Sequence, residues 1–182
     1  GKGCKYAQEH PDKYHGVGPF DPVTGEVKSS GESFSDKFGQ YLCEFAEKDK
    51  RIVAITAAMC DGTGLNSFLD KFPERFIDIG IAEQHATAMA AGMAKQGMLP
   101  VFAVYSSFLQ RAYDMLIHDV SLQNLHVLFG VDRAGLVGND GETHHGVFDV
   151  SYLHSVPGMN ILCPASFAEL HDMMEKAFFE LD

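Results

Sequence analysis

Tryptophan is absent and cysteine is scarce. The 182 residues hold four cysteines (Cys4, Cys43, Cys60 and Cys163), none of them in a Cys-x-x-Cys pair. Scattered thiols of this kind exclude a disulfide framework and a cysteine-based zinc site, and they read as reduced thiols of a cytoplasmic protein. No run approaches the about 18 consecutive apolar residues of a membrane helix, and no signal-peptide pattern is present. Basic residues are few: 14 Lys+Arg against 25 Asp+Glu leave a formal net charge of −11. That balance argues against nucleic acid or an anionic membrane as the main partner, because both select clustered Lys and Arg. It leaves room for a small anionic substrate, which a few well-placed arginines can hold. An initiator methionine is lacking too, and a chain starting at Gly1 reads as a piece of a longer protein. No internal repeat or low-complexity tract is found.

What is present is ordinary globular material, 46% hydrophobic and 21% charged. At about 150 residues per domain, the length predicts one domain plus an appendage. Residues 1–31 carry Pro11, Pro19 and Pro22, several glycines and little hydrophobic periodicity, and read as a linker or extended arm. Lys13-Tyr14-His15-Gly16 is an unusually specific cluster for a spacer. Residues 32–182 alternate in pattern. Helices are predicted over 33–49, 65–72, 82–97, 107–123 and 166–182, with Ser33 and Asp36 as capping candidates for the first and Gly97 closing the third. Short apolar runs over 51–59, 75–80, 98–105, 126–132 and 159–165 read as strands. Helices alternating with strands that are apolar on both faces predict an α/β domain, a parallel sheet flanked by helices on both faces. Ligands in such sheets bind at the carboxyl ends of the strands.

Three segments carry side chains suited to chemistry. In IDIGIAEQHATAMAAGMAK, Glu83 lies where a strand passes through Gly80 into an Ala- and Met-rich helix. It is either an N-terminal capping acid or a functional carboxylate, its proton affinity raised by burial and lowered by the helix terminus. In VYSSFLQRAYDMLIHD, Phe108 and Arg111 are three residues apart on one helix face, after Tyr105 at a strand end. The plain reading is an aromatic core contact and an Arg111–Asp114 surface pair. From Asp132 to Gly146 runs a long Gly-punctuated polar loop, a length that in compact domains is usually functional. Arg133, Asp140 and His144 could together hold an anionic, polyhydroxyl substrate. His144 and His145 are adjacent, point apart and lack a third ligand at a standard spacing, so no metal site is predicted. Gly62-Thr63-Gly64 after a strand faintly resembles a dinucleotide fingerprint, but Ser67 stands in place of its third glycine.

FPERFIDIGIAEQHA, YSSFLQRAYDMLIHDV and DRAGLVGNDGETHHGVFD, in that order, resemble the 1-deoxy-D-xylulose-5-phosphate synthase family, thiamine-diphosphate-dependent relatives of transketolase. The likeness runs from about Lys13 to the end and covers the family's central pyrimidine-binding domain with the linker before it. It implies that an amino-terminal domain, which binds the diphosphate through Mg²⁺, and a carboxy-terminal domain lie elsewhere, so that the isolated chain is inactive. Glu83 is similar to the glutamate that hydrogen-bonds the aminopyrimidine ring and promotes formation of the cofactor ylid. Phe108 is similar to the aromatic stacked on that ring, and Ile81 and Met59 fall where apolar cofactor contacts are expected. Tyr105, Arg111, Arg133, Asp140 and His144 resemble the substrate pocket. His15 resembles a linker histidine reaching into it, which makes Glu83, His144 and His15 the catalytic candidates. His145 departs from the family pattern, and its role is open. The resemblance implies a cytoplasmic homodimer that condenses pyruvate with glyceraldehyde 3-phosphate, with loss of CO₂, for isoprenoid, thiamine and pyridoxal synthesis. Alternatives are another transketolase, a 2-oxo-acid dehydrogenase β subunit, or a Rossmann-like nucleotide module.

Overall fold

A computed structural model describes residues 3–11, 14, 17–27, 31–138 and 140–181. The chain divides into two units, Gly1–Ser33 and Phe34–Asp182. The first contains helix α1 (Lys5–Glu9) and a small hairpin closed by a Phe20–Val27 bridge. Asp21 builds the turn: its Oδ1 accepts from the Val23 and Thr24 amides, which holds the carboxyl below its ordinary range. Gly25 supplies the positive φ, and the Tyr6 and Tyr14 hydroxyls donate to the Val23 and Gly25 carbonyls. The arm is therefore more structured than its composition predicts, because two tyrosines and an Asx turn stand in for a hydrophobic core. His15, with Lys13 and Gly16, lies outside the described residues.

In the second unit four parallel strands, β1 (Ile52–Thr56), β2 (Phe76–Asp78), β3 (Leu99–Tyr105) and β4 (Leu128–Asp132), pair in the order β2-β1-β3-β4. Strand alternation divides the interior into two cores. Ile52, Ala54, Leu99, Val101 and Ala103 pack with α2 (Phe34–Lys48), α3 (Asn66–Lys71) and α8 (Phe167–Phe179). Ile55, Phe102 and Val104 pack with α4 (Glu83–Lys95), the helical segment after β3 and α7 (Asp149–His154). Helices on both faces are what an all-parallel apolar sheet requires.

Two elements differ from expectation. Residues 106–123 do not form one α-helix. They run through α5 (Ser106–Leu109), a 3₁₀ turn (Gln110–Ala112), α6 (Tyr113–Met115), a π-helical segment (Leu116–Val120) and a further 3₁₀ turn. Residues 159–165 do not join the sheet. The segment borders an apolar cleft of 640 Å³ between the free edge of β4 and α8. Met159 and Ile161 are half-buried along that cleft, while Leu162 and Cys163 stay exposed, so the run is only partly removed from water.

Gly62-Thr63-Gly64 answers to packing. Gly64 has φ +74°, and a Cβ there would come within 2.0 Å of the Ser35 carbonyl oxygen. A Cβ on Gly39 would stand 1.9 Å from the Gly64 carbonyl oxygen. These glycines let the loop lie directly against α2, a requirement that accounts for them without a dinucleotide.

Candidate active site

Glu83 is the first residue of α4, and the loop before it is fixed by Asp78. Asp78 Oδ1 accepts from the backbone amides of Ala58 and Gly80, each at 2.9 Å, so one carboxylate joins the ends of β1 and β2. Gly80, at φ +70°, turns the chain toward α4. The alanines of α4 allow close contact with the sheet: Ala86 and Ala90 are fully buried. This packing leaves Glu83 only 3% exposed. Its two carboxylate oxygens lie 3.5 and 3.4 Å from Arg111 Nη1. Those distances exceed the about 2.7–2.9 Å of a tight charge-assisted bond. The arginine side chain itself is 53% exposed. A buried carboxylate thus meets a mostly solvated cation, and Arg111 serves Glu83 where the sequence suggested Asp114.

Arg111 reaches Glu83 from the 3₁₀ turn after α5. Tighter winding brings residues three apart nearly into register, so Phe108 and Arg111 leave the segment on one side. Phe108 stacks on Tyr105 (centroids 5.6 Å, planes 16° apart) and meets His144 edge-on (5.4 Å, 70°). The Arg133 guanidinium stands 4.9 Å from the centre of the Tyr105 ring. Burial raises the Tyr105 phenol above its ordinary range, and the Arg133 charge opposes the shift. Arg133 Nε binds Asp140 Oδ2 at 3.1 Å, and its Nη1 lies 3.4 Å from Asp132 Oδ1. The Arg133 backbone is left-handed, with φ +56°. For a residue with a Cβ, such a conformation persists only where the surroundings impose it. Here Asp132 imposes it: Oδ1 accepts from the Arg133 amide at 2.7 Å and Oδ2 accepts from the Ser35 hydroxyl.

The structure therefore joins Tyr105, Phe108, Arg133, Asp140 and His144 in one chain of contacts, and Glu83 with Arg111 in another. Met59 lies by the same loop as Gly62, where a Cβ would come 2.5 Å from the Tyr105 hydroxyl and 2.9 Å from Met59 Cε. Ile81 stands on the loop before α4, 77% exposed. His144 Nδ1 pairs with the Thr143 hydroxyl at 2.9 Å, while His145 Nδ1 accepts from the Val137 amide at 3.1 Å. His145 thereby staples the loop to itself. Asp132 and Ser35, which hold Arg133, were missed by sequence reasoning. Only the Asp-Arg dipeptide at a strand end hinted at the first, and nothing marked the second. Cys60, just beyond β1, is held toward its protonated thiol form. Burial, with Asp78, Asp61 and Asp70 adding to it, pushes its thiol up to about 11. Among the described residues, no group of three or more His, Cys, Asp or Glu could hold a metal ion, and no helix is long and apolar enough to cross a membrane.

Residues 32–180 match the family model "Transketolase, pyrimidine binding domain". The chain is 60% identical over 178 residues to a 1-deoxy-D-xylulose-5-phosphate synthase of Clostridium tetani. It is 57% identical over 176 residues to that of Aquifex aeolicus. These alignments cover 97% and 96% of the chain but 29% and 28% of the relatives, so the chain spans less than a third of their length. Among solved structures, a split-gene transketolase described as an inactive β4 tetramer superimposes with a TM-score of 0.71 at 27% identity. That match covers 80% of this chain and 47% of the other. Transketolase from Leishmania mexicana superimposes with a TM-score of 0.74 over 87% of this chain and 25% of its own, at 18% identity, and so shows the fold alone. With its motifs, its parallel sheet and the family-model match over residues 32–180 in agreement, the chain belongs to the transketolase pyrimidine-binding domain family.

Proposed function

We propose that the chain is the pyrimidine-binding part of a 1-deoxy-D-xylulose-5-phosphate synthase, which joins pyruvate to glyceraldehyde 3-phosphate with loss of CO₂. The observation that carries this reading is the buried carboxylate of Glu83, opposed by Arg111 and followed along the fold by the Phe108 platform. The high identity to synthases of that name supports the choice of reaction. A carboxyl group at a helix start, an aromatic face and a nearby Met59 fit the aminopyrimidine half of thiamine diphosphate: one proton-exchanging donor and acceptor, one stacking surface, one apolar wall. When bound, thiamine diphosphate supplies the nucleophilic carbon that adds to the carbonyl group of pyruvate.

The chain's own residues have distinct tasks. With the cofactor bound, Glu83 would exchange a proton between a carboxyl oxygen and a ring nitrogen, and Arg111 would balance the charge on the carboxylate. Near-complete burial keeps competing water away from that exchange. Phe108 orients the ring. Arg133, braced by Asp132 and Asp140, presents a planar cation for a phosphate or carboxylate. His144 and the Tyr105 hydroxyl stand where a substrate hydroxyl or carbonyl oxygen can be held and protonated. Mg²⁺ and the diphosphate are assigned to a separate domain of a homodimeric cytoplasmic enzyme. The four free thiols accord with a reducing compartment.

Two measurements test the reading. The full-length protein is expected to release CO₂ from pyruvate only when glyceraldehyde 3-phosphate completes the turnover to 1-deoxyxylulose 5-phosphate. Turnover with ketose donors and no pyruvate would indicate a transketolase instead. The 182-residue chain alone is expected to form no product, in keeping with the inactive β-chain assembly of the split-gene relative.

A further inference from the structure

Asp149 and Ser106 form a buried polar pair to which the proposed reaction assigns no chemistry. Asp149 opens α7 and is 7% exposed; Ser106 opens α5 and is 2% exposed. The Ser106 hydroxyl donates to Asp149 Oδ2 at 2.8 Å, and Asp149 Oδ1 accepts from the Val150 amide at 2.7 Å. The pair bridges 43 residues of sequence between β3's helical continuation and the far end of the polar loop. A buried carboxylate with both oxygens engaged is costly to remove and geometrically demanding.

Gly146 lies directly against Ser106. A Cβ there would stand 2.4 Å from Ser106 Oγ and 2.6 Å from the Arg133 carbonyl oxygen. Gly146 also exchanges two backbone bonds with Gly135, at 2.8 and 2.9 Å. The returning arm of the loop is thus pressed against the start of α5 on one side and paired with its own outgoing arm on the other. His144 lies two residues before Gly146, and Phe108 lies two residues after Ser106. The His144 and Phe108 rings, each two residues from one of these points, meet edge-on.

We infer that Ser106, seated on Asp149, is a positioning residue: a clasp that sets the loop bearing Arg133, Asp140 and His144 against the helix bearing Phe108. Only the catalytic effect of the clasp rests on the function proposed above; the geometric effect does not. The clasp is read in the 182-residue chain from the His144 Hε1 resonance, assigned by its loss in His144→Asn. Phe108→Leu gives its position without the ring current of Phe108. In Ser106→Ala the resonance is expected to move toward that position, with the circular dichroism spectrum retained. In Asp149→Asn, which keeps an acceptor at Oδ1 and a polar partner for Ser106, it is expected to stay near the wild-type position. An unmoved resonance in Ser106→Ala, where Phe108→Leu does move it, overturns the inference; so does a displacement in Asp149→Asn as large as in Ser106→Ala. Asp149→Ala is not required, so a failure of that variant to fold costs the test nothing. In the full-length protein, Ser106→Ala is expected to lower kcat about 10- to 100-fold, as a misplaced positioning group does, with thiamine diphosphate affinity unchanged, while Asp149→Asn keeps most of the wild-type rate. A wild-type protein without synthase activity would remove the proposed reaction while leaving the resonance measurement to decide the clasp.

Discussion

The two contact systems of the site are held by opposite means. Glu83 is placed by packing: an alanine-rich helix lies flush on the sheet, the strand ends are tied by Asp78, and the carboxylate has little freedom left. Arg133, Asp140 and His144 are placed by polar staples on a loop over the carboxyl end of β4: Asp132 on the Arg133 amide, His145 on the Val137 amide, and Gly135 on Gly146. A proton-exchanging group gains from burial, which excludes water and fixes geometry. A group that meets an incoming substrate must stay accessible, and polar staples allow that. The comparison implies that substitutions in the packed part act on stability or on chemistry outright, while those in the stapled part act locally and gradually.

The sharpest way to break the comparison is Glu83→Gln in the full-length protein. It preserves shape but removes the exchangeable carboxyl proton, and kcat is expected to fall about 10²- to 10⁴-fold with little change in the unfolding midpoint. A rate near wild type in a turnover assay would remove Glu83 from the proton path. Next in size is Gly39→Ala. Its Cβ would meet backbone at 1.9 Å, where no flexible side chain can yield. The expected loss in urea unfolding is about 3 kcal/mol. Gly92→Ala, on the exposed side of α4 with nothing within 4 Å of the added Cβ, is expected instead to gain about 0.5–1 kcal/mol. Equal effects at the two glycines would contradict the close approach of the loop to α2. The smallest effect belongs to the stapled part. His145→Ala removes one acceptor from the Val137 amide and is expected to lower the local opening free energy of the loop by about 1 kcal/mol, with global stability unchanged. Its signature is faster hydrogen exchange at Val137, with the amides of β1 and β3 unaffected. Global acceleration would show that the loop is part of the core after all.

Much of this was legible in the chain. The strands over 51–59, 75–80, 98–105 and 126–132 were marked by near-continuous apolar runs, and α2, α4 and α8 by helical periodicity or helix-forming composition. Glu83 was marked by its place between Gly80 and the alanine run, and the loop by its glycines. The run at 159–165 misled, because a short apolar run is not specific to a strand, and this one borders a cleft with Leu162 and Cys163 exposed. The broken winding of residues 106–123 left no signal, since the sequence has neither proline nor glycine there to explain it. Arg111 pointed to Asp114 by helical spacing, but the 3₁₀ turn redirected it to Glu83.

Local sequence determined what local physics governs: which segments are apolar on both faces, where helices start, which turns need glycine, and which ionisable groups stand near strand ends. The long-range pairings were decided only by the tertiary structure. Arg111 on Glu83, Ser35 on Asp132, Ser106 on Asp149 and Gly39 against Gly64 each join residues from different elements. No propensity encodes such a pair. It exists because strand order and helix packing bring distant backbone together, and because a polar group buried there must find a partner or destabilise the fold.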